Sequence, residues 1–392
     1  MARPEVCFSL GMGVDSVALA LLWMHDPATR PCPLDRILFV SAMTGDEWPI
    51  TGTMMADHAL PLFREHHIRY AQIARAGMSD RDGIAVLDDS RDPGQMYLRG
   101  PVSLSQEMVR AGTVPQVGGH RKCSLKWKGW PIDQFLAREM ADSYVQVMGY
   151  EAGERKRADK DTKEGNSGRR TGRYPLIEMG WDRLACQAYI RAQLGVTWPK
   201  SACVYCPFAL TNEAGRERVL DRYAEEPHAG LPALMMEHIA RTLNPRQGLA
   251  GSERGTSGVA AAKTLIGLLK ADPRQQVLLR MHSERLHEVP WKLFEVQRAY
   301  SAPGQAPRQL RALGVGTRAE MTAAPRAEAA GTTMELTAHD GIERAWRLHR
   351  APGYPAAEWL LAAAPAGPVD KTGRGFTAAW ERALATGARA LW

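Results

Sequence analysis

The chain has 392 residues, 45% of them hydrophobic and 24% charged, with a formal net charge of +7. That composition is globular and excludes a low-complexity or collagen-like chain. No apolar run reaches the ~18 residues that a membrane-spanning helix needs, so no membrane partner is expected. The positive charge favours polyanionic partners. Six cysteines in a chain with no room for a leader before its first strand point to a cytoplasmic protein. In that compartment cysteines serve metal binding or catalysis before disulfides.

In chain order, an apolar run at 6–10 reads as a first strand. Two glycines and Asp15-Ser16 follow, and 17–23 reads as a helix. Strands at 37–41 and 68–73 bracket a helix near 52–66, a βαβαβ pattern that predicts a parallel sheet. Residues 76–118 read as an irregular insertion holding a short helix near 103–111. A helix at 130–141 and a strand at 144–149 come next, then a polar, basic loop over 151–174 and a helix over 183–194. Residues 210–300 read as mainly helical, with a Gly/Ser/Arg-rich loop at 244–258. Beyond 300 the chain is rich in Ala, Pro, Gly and Arg, with helical stretches expected near 341–349 and 356–363. The organisation expected is a nucleotide-binding domain over 1–210, a helical accessory region over 211–300 and a C-terminal region over 301–392.

The first turn carries chemistry. A strand that passes through Gly11-Met12-Gly13 into a helix N-terminus presents bare backbone N–H groups and a positive dipole end to an anion. No lysine lies between Gly11 and Ser16, which removes the Walker pattern, and Ser16 stands where a dinucleotide fingerprint needs its third glycine. The segment is closest to the pyrophosphate loop, Ser-Gly-Gly-x-Asp-Ser. It matches at Gly13, Asp15 and Ser16 and departs at Gly11 and Met12, with Ser9 two residues early.

Four cysteines mark the middle of the chain. Cys203-Val204-Tyr205-Cys206 brings two sulfurs near one another and reads as a zinc knuckle, a redox pair or part of an iron–sulfur site. Cys123 lies among Arg121, Lys122, Lys126 and Lys128, four cations that are expected to lower its thiol pKa or to hold a phosphate. Cys186 falls on an apolar helix face, where core packing competes with ligation. Cys7 reads as a small buried hydrophobe. Trp127 and Trp130 read either as base-stacking platforms or as core.

Together these stretches resemble the phosphoadenosine phosphosulfate (PAPS) reductase family, within the pyrophosphate-loop adenine nucleotide α-hydrolases. The matching residues run in order: Gly13-x-Asp15-Ser16; Thr44-Gly45-Asp46-Glu47-Trp48-Pro49; Arg121-x-Cys123 with Lys126; Gly149 with Glu154 and Arg157; Tyr174-Pro175-Leu176-Ile177; and Lys200-Ser201-x-Cys203-x-x-Cys206-Pro207-Phe208. They cover roughly residues 5–210. The resemblance implies an α/β, Rossmann-like open parallel sheet of the pyrophosphate-loop type, with a mainly helical C-terminal extension.

The resemblance also implies roles. Ser9, Gly11, Gly13, Asp15 and Ser16 would hold the phosphates of ATP, with Asp15 on magnesium and Ser16 on a phosphate oxygen. Thr44, Gly45, Asp46 and Glu47, at the carboxyl end of the second strand, would contact the nucleotide or magnesium. Arg121 and Lys126 would add phosphate contacts, and Arg157 would neutralise charge at the reacting phosphate. Cys123, Cys186, Cys203 and Cys206 would ligate a 4Fe-4S cluster, with zinc as the alternative. The reductases attack with a cysteine near the C-terminus, and no cysteine follows Cys206. The expected activity is therefore that of the sulfurtransferase branch, which includes DNA phosphorothioation proteins. ATP adenylates an acceptor, a nucleic acid or nucleotide, and sulfur from a donor such as a cysteine desulfurase displaces AMP. A sulfonucleotide reductase and a non-catalytic nucleic-acid-binding subunit with structural zinc are the alternatives.

Overall fold

The computed structural model describes residues 3–117, 122–254, 260–262, 264–304 and 306–389. The chain divides into two compact units: residues 1–106 with 118–206, and residues 107–117 with 207–392.

The first unit is mixed α/β. Its sheet contains β1 (Val6–Ser9), β2 (Ile37–Met43), β3 (Arg69–Arg75), β4 (Ile84–Ser90), β5 (Tyr144–Met148) and β6 (Arg170–Arg173), in the spatial order β4-β3-β2-β1-β5-β6. The pairs β3-β2, β2-β1, β1-β5 and β5-β6 are parallel, and β4 joins antiparallel at the edge. The chain therefore reverses its direction of spread at β1, and the carboxyl ends of β1 and β5 flank the switch point at which such sheets bind ligands.

Helix α1 (Val14–His25) follows β1 directly. After β2, α2 (Pro49–Met54) and α3 (Leu60–Glu65) flank a π turn over Met55–Ala59. Then come α4 (Leu104–Ala111), whose residues from 107 on belong to the second unit, α5 (Lys122–Ser124), α6 (Trp130–Glu139), α7 (Arg155–Gly165), α8 (Pro175–Glu178) and α9 (Arg183–Leu194). Alternation along β1 sends Phe8 and Cys7 to opposite faces. Phe8 meets Phe39 edge-on with ring centroids 5.1 Å apart, and Phe39, Phe63 and Tyr70 continue the series. Cys7 packs with Leu38, Val40, Phe135 and Leu136 as the expected small hydrophobe.

Two local readings need correction. Residues 76–118 contain the edge strand β4, and the polar stretch 151–174 contains α7 and β6. β4 packs Ile84 and Leu87 against the cores of the unit, whereas the 151–174 stretch is held by charge rather than by apolar periodicity. In β6, Arg170 pairs with Asp161 at 2.8 Å and donates to Gln146 Oε1 at 2.5 Å. An Arg-Thr-Gly-Arg strand carries no hydrophobic pattern to read.

The second unit contains α10 (Glu213–Glu225), α11 (Pro227–Leu243), α12 (Leu265–Lys270), α13 (Gln276–Glu288), α14 (Arg318–Ala329) and α15 (Phe376–Arg389). A short pair, β7 (Ser252–Arg254) with β8 (Ala260–Ala262), precedes a six-stranded sheet. That sheet holds β9 (Trp291–Tyr300), β10 (Arg308–Gly316), β11 (Glu335–His339), β12 (Ile342–Leu348), β13 (Ala356–Pro365) and β14 (Lys371–Thr372), in the order β11-β12-β13-β9-β10-β14 with every pair antiparallel.

The expected mainly helical extension is thus corrected to helices plus an antiparallel sheet, and the helices expected near 341–349 and 356–363 are strands. Residues 356–365 are alanine-rich, which favours helix locally. They lie instead between β12 and β9, buried along most of their length. Phe294, Leu360, Ala362 and Ala364 pack with Ile239 and Leu243 of α11, whereas Leu293 and Leu361 pack with Met321 and Ala324 of α14. The small residues let both layers approach, and packing overrides propensity. No helix among the described residues is long and apolar enough to cross a membrane.

Candidate functional site

The glycine turn after β1 has its carbonyls tied back. Gly11 O accepts from Ser201 Oγ at 3.0 Å, Met12 O from the Trp198 indole at 3.0 Å, and Gly13 O from Ser16 Oγ at 3.1 Å and Val17 N at 3.0 Å. Gly13, the N-cap of α1, makes no side-chain cap. The first-turn amides of α1, from Val14, Asp15 and Ser16, have no acceptor within the helix. A turn with satisfied carbonyls and bare amides can accept an anion.

Two positions show how tightly it is built. Met12 holds φ +57, the left-handed conformation that a glycine would supply at the place where the loop departs from its pattern, and it is 2% exposed. A Cβ on Gly149, at the end of β5, would come within 2.7 Å of Ser16 Cα, so only glycine lets β5 approach the start of α1.

The hydroxyl of Ser16 is occupied by the turn itself, accepting from Gly11 N and donating to Gly13 O. Ser9 lies on the sheet and accepts from Gln146 at 2.8 Å. Asp15 is held by Arg183, the first residue of α9, at 2.7 Å and 3.3 Å. Burial raises the Asp15 pKa, Arg183 opposes that shift, and Glu154 and Glu151 add to it. Arg183 carries no motif in the sequence; its only local sign is its place just after Asp182, which caps α9 through Ala185 N.

The segment after β2 is a latch. Gly45 has φ +87, and a Cβ there would meet Ser103 Cβ at 2.4 Å. Asp46 accepts from Ser105 N at 2.7 Å, Ser105 Oγ at 2.6 Å and Tyr205 OH at 2.5 Å. Glu47 accepts from Ala202 N at 2.5 Å through Oε1, while its buried Oε2 has no hydrogen-bond partner among the described residues. Thr44 Oγ1 lies 3.2 Å from Cys203 Sγ, and Glu47 bridges to Cys203 through the backbone. Asp46 thus anchors loops, whereas Glu47 keeps a carboxylate oxygen available beside a thiol.

Cys206 is the neighbour that Cys123 and Cys203 share. Cys206 is close enough to Cys123 and to Cys203 to raise the pKa of each, and Lys128 acts on both in the opposite direction. Burial dominates, so Cys203 is pushed up to about 12 and Cys123 is also raised. The expected lowering at Cys123 is therefore corrected: desolvation outweighs its neighbouring cations. Cys186 is set apart. It is fully buried on α9 in the core that includes Val17 and Ile190, and its charged neighbours are Asp15, Glu151 and Arg183. Among the described residues, no group of three or more His, Cys, Asp or Glu side chains is arranged to hold a metal ion.

The remaining candidates divide. Arg157 pairs with Glu154 and lies 4.3 Å over the Tyr150 ring, which stacks on Tyr174. This places it on the stretch that follows β5. Lys126 is on the π turn Leu125–Gly129, where its carbonyl accepts from Arg75 at 3.2 Å. Trp127 is fully buried, and Arg75 lies 4.6 Å over Trp130, so Trp127 is core and not a stacking platform. Arg121 lies outside the described residues.

Comparison of the chain with protein-family models, curated proteins and solved structures finds no match.

Proposed function

We propose that this chain is an ATP-dependent adenylating enzyme of the PAPS reductase-like kind, activating an acceptor, a nucleic acid or nucleotide, for sulfur transfer. One observation carries the reading. The Cys203–Cys206 segment is bonded on one side to the glycine turn, through Ser201 and Trp198, and on the other to the loop after β2, through Thr44, Asp46 and Glu47. These hydrogen bonds tie the turn proposed to hold phosphate to the Cys-x-x-Cys segment, the proximity that adenylation followed by sulfur delivery requires.

In this scheme the β,γ-phosphates of ATP lie on the amides of Val14, Asp15 and Ser16. An acceptor oxygen attacks the α-phosphorus, the bond to the bridging oxygen breaks, and pyrophosphate leaves with the electron pair into the glycine turn. A sulfide-level sulfur from a donor then displaces AMP from the acceptor. Fixed amides aimed at the leaving oxygens cost no reorganisation during the reaction, the usual source of the largest rate term. Magnesium would supply charge neutralisation at the phosphates, and Asp15 would have to exchange Arg183, which occupies both its carboxylate oxygens, to hold it. Arg183 and Arg157 supply further positive charge nearby.

The side chains of Cys123, Cys203 and Cys206 are not arranged to hold a metal ion as they stand; a thiophilic metal or iron–sulfur cluster would need them to draw together, and when bound would keep the thiols deprotonated. A cluster using all four cysteines would require Cys186 to leave the core. ATP–pyrophosphate exchange tests the reading: exchange dependent on acceptor and on Asp15 supports it, and PAPS-dependent sulfite release without exchange replaces it with the reductase.

A further inference from the structure

The second unit contains a cavity of about 430 Å³ between α11, α14 and strands β9, β12 and β13, lined by His238, Trp291, Arg318, Arg326, Ile342 and Ala363 among others. That volume lies in the usual range for small-molecule sites. Nothing in the adenylation scheme uses it.

Its charge is one-sided. Arg318 and Arg326 both line it. Arg326 pairs with Glu343, whereas Arg318 lies 5.5 Å over the Trp291 ring and meets the His287 imidazole at 2.8 Å. Behind the wall, buried Arg344 donates to the carbonyls of Arg241 and Thr242. Arg241 is balanced by Asp340. Burial first, then His282 and the positive field of Arg318, Arg241 and Arg344, holds His238 neutral, its pKa lowered to about 3. His238 sits edge-on to Trp291 with ring centroids 5.6 Å apart, and its buried Nε2 has no hydrogen-bond partner among the described residues. A buried polar atom left unpaired is destabilising, and a ligand group bonded to it would recover that cost.

We propose that this cavity binds a small organic anion, a carboxylate or phosphate monoester on an apolar body, with Arg318 and Arg326 on the anionic head and His238 Nε2 on a polar atom of the ligand. Ile342 and Ala363 line the wall for the apolar body. Two cationic groups against one local carboxylate leave a net positive charge that a single anionic head neutralises. A neutral imidazole supplies one directional bond without a second charge.

Isothermal titration of the full chain with phenyl phosphate, phenylacetate and phenol tests this. At least one of the two anions binds with submillimolar affinity, and phenol binds at least tenfold more weakly than that anion. The stronger of the two identifies the head group. Arg318→Gln and, independently, Ala323→Phe, which fills the cavity from the exposed side of α14, each weaken that anion at least tenfold. Absence of binding by both anions at millimolar concentration, or binding unchanged in both variants, overturns the proposal. The second result assigns the anion to another site, such as the glycine turn of the first unit.

Discussion

The Asp15 carboxylate and the Arg183 guanidinium join the start of α1 to the start of α9, 168 residues apart in sequence, through two hydrogen bonds of 2.7 and 3.3 Å. Arg183 thereby holds the one acid of the glycine turn, the turn proposed to hold phosphate, and burial and two further glutamates raise that acid's pKa against it.

The first prediction concerns this pair. Asp15→Ala should lower ATP–pyrophosphate exchange by about 100-fold or more, the scale of losing one preorganised charge-handling group. Arg183→Ala should also reduce exchange. Both should leave the far-ultraviolet circular dichroism and the melting temperature nearly unchanged, because the pair is partly exposed. Full exchange in Asp15→Ala would remove the glycine turn from the mechanism.

Gly45→Ala should destabilise the first unit by roughly 2–5 kcal/mol. The left-handed backbone costs an alanine about 1–2 kcal/mol, and the overlap with Ser103 adds about 1–3 kcal/mol. Urea denaturation measures it. A loss well under 1 kcal/mol would mean that the latch after β2 is looser than its geometry.

The thiols should behave unequally. In anaerobically purified protein, Cys203→Ser and Cys206→Ser should each remove bound iron or zinc, measured by elemental analysis and the visible spectrum. Cys186→Ala should leave the metal content unchanged and cost core stability instead. Metal loss in the Cys186 variant equal to that in the others would place Cys186 among the ligands. In metal-free protein, Cys203 should resist iodoacetamide at pH 8 relative to the urea-unfolded chain, since its thiol is pushed up to about 12.

Acid should loosen the second unit before carboxylates titrate. Burial first, then neighbouring cations, hold His238 near 3 and His282 near 4, against an ordinary value of 6.5. Both stay neutral in the fold and gain a proton on unfolding, so their contribution is complete above pH 6.5. It is lost as pH falls from there toward 4, at up to about 1.4 kcal/mol per pH unit for each group. Denaturant midpoints over that range should fall steadily, and His282→Gln should flatten the slope. A midpoint independent of pH between 6.5 and 5 would contradict the neutral pair.

Signals confined to a few neighbouring residues were legible in the linear chain: glycines that let a strand turn into a helix, the apolar alternation of βαβαβ, the Cys-x-x-Cys spacing. Each depends on local backbone freedom or on short periodicity, which amino-acid identity controls directly. Folding made the remaining choices. It latched Cys203–Cys206 to the glycine turn and to the loop after β2, sent Cys186 into the core, supplied Arg183 to Asp15, and turned an alanine-rich stretch into the strand Ala356–Pro365. Those outcomes depend on contacts between segments tens to hundreds of residues apart, where desolvation and packing outweigh what any short window of sequence prefers.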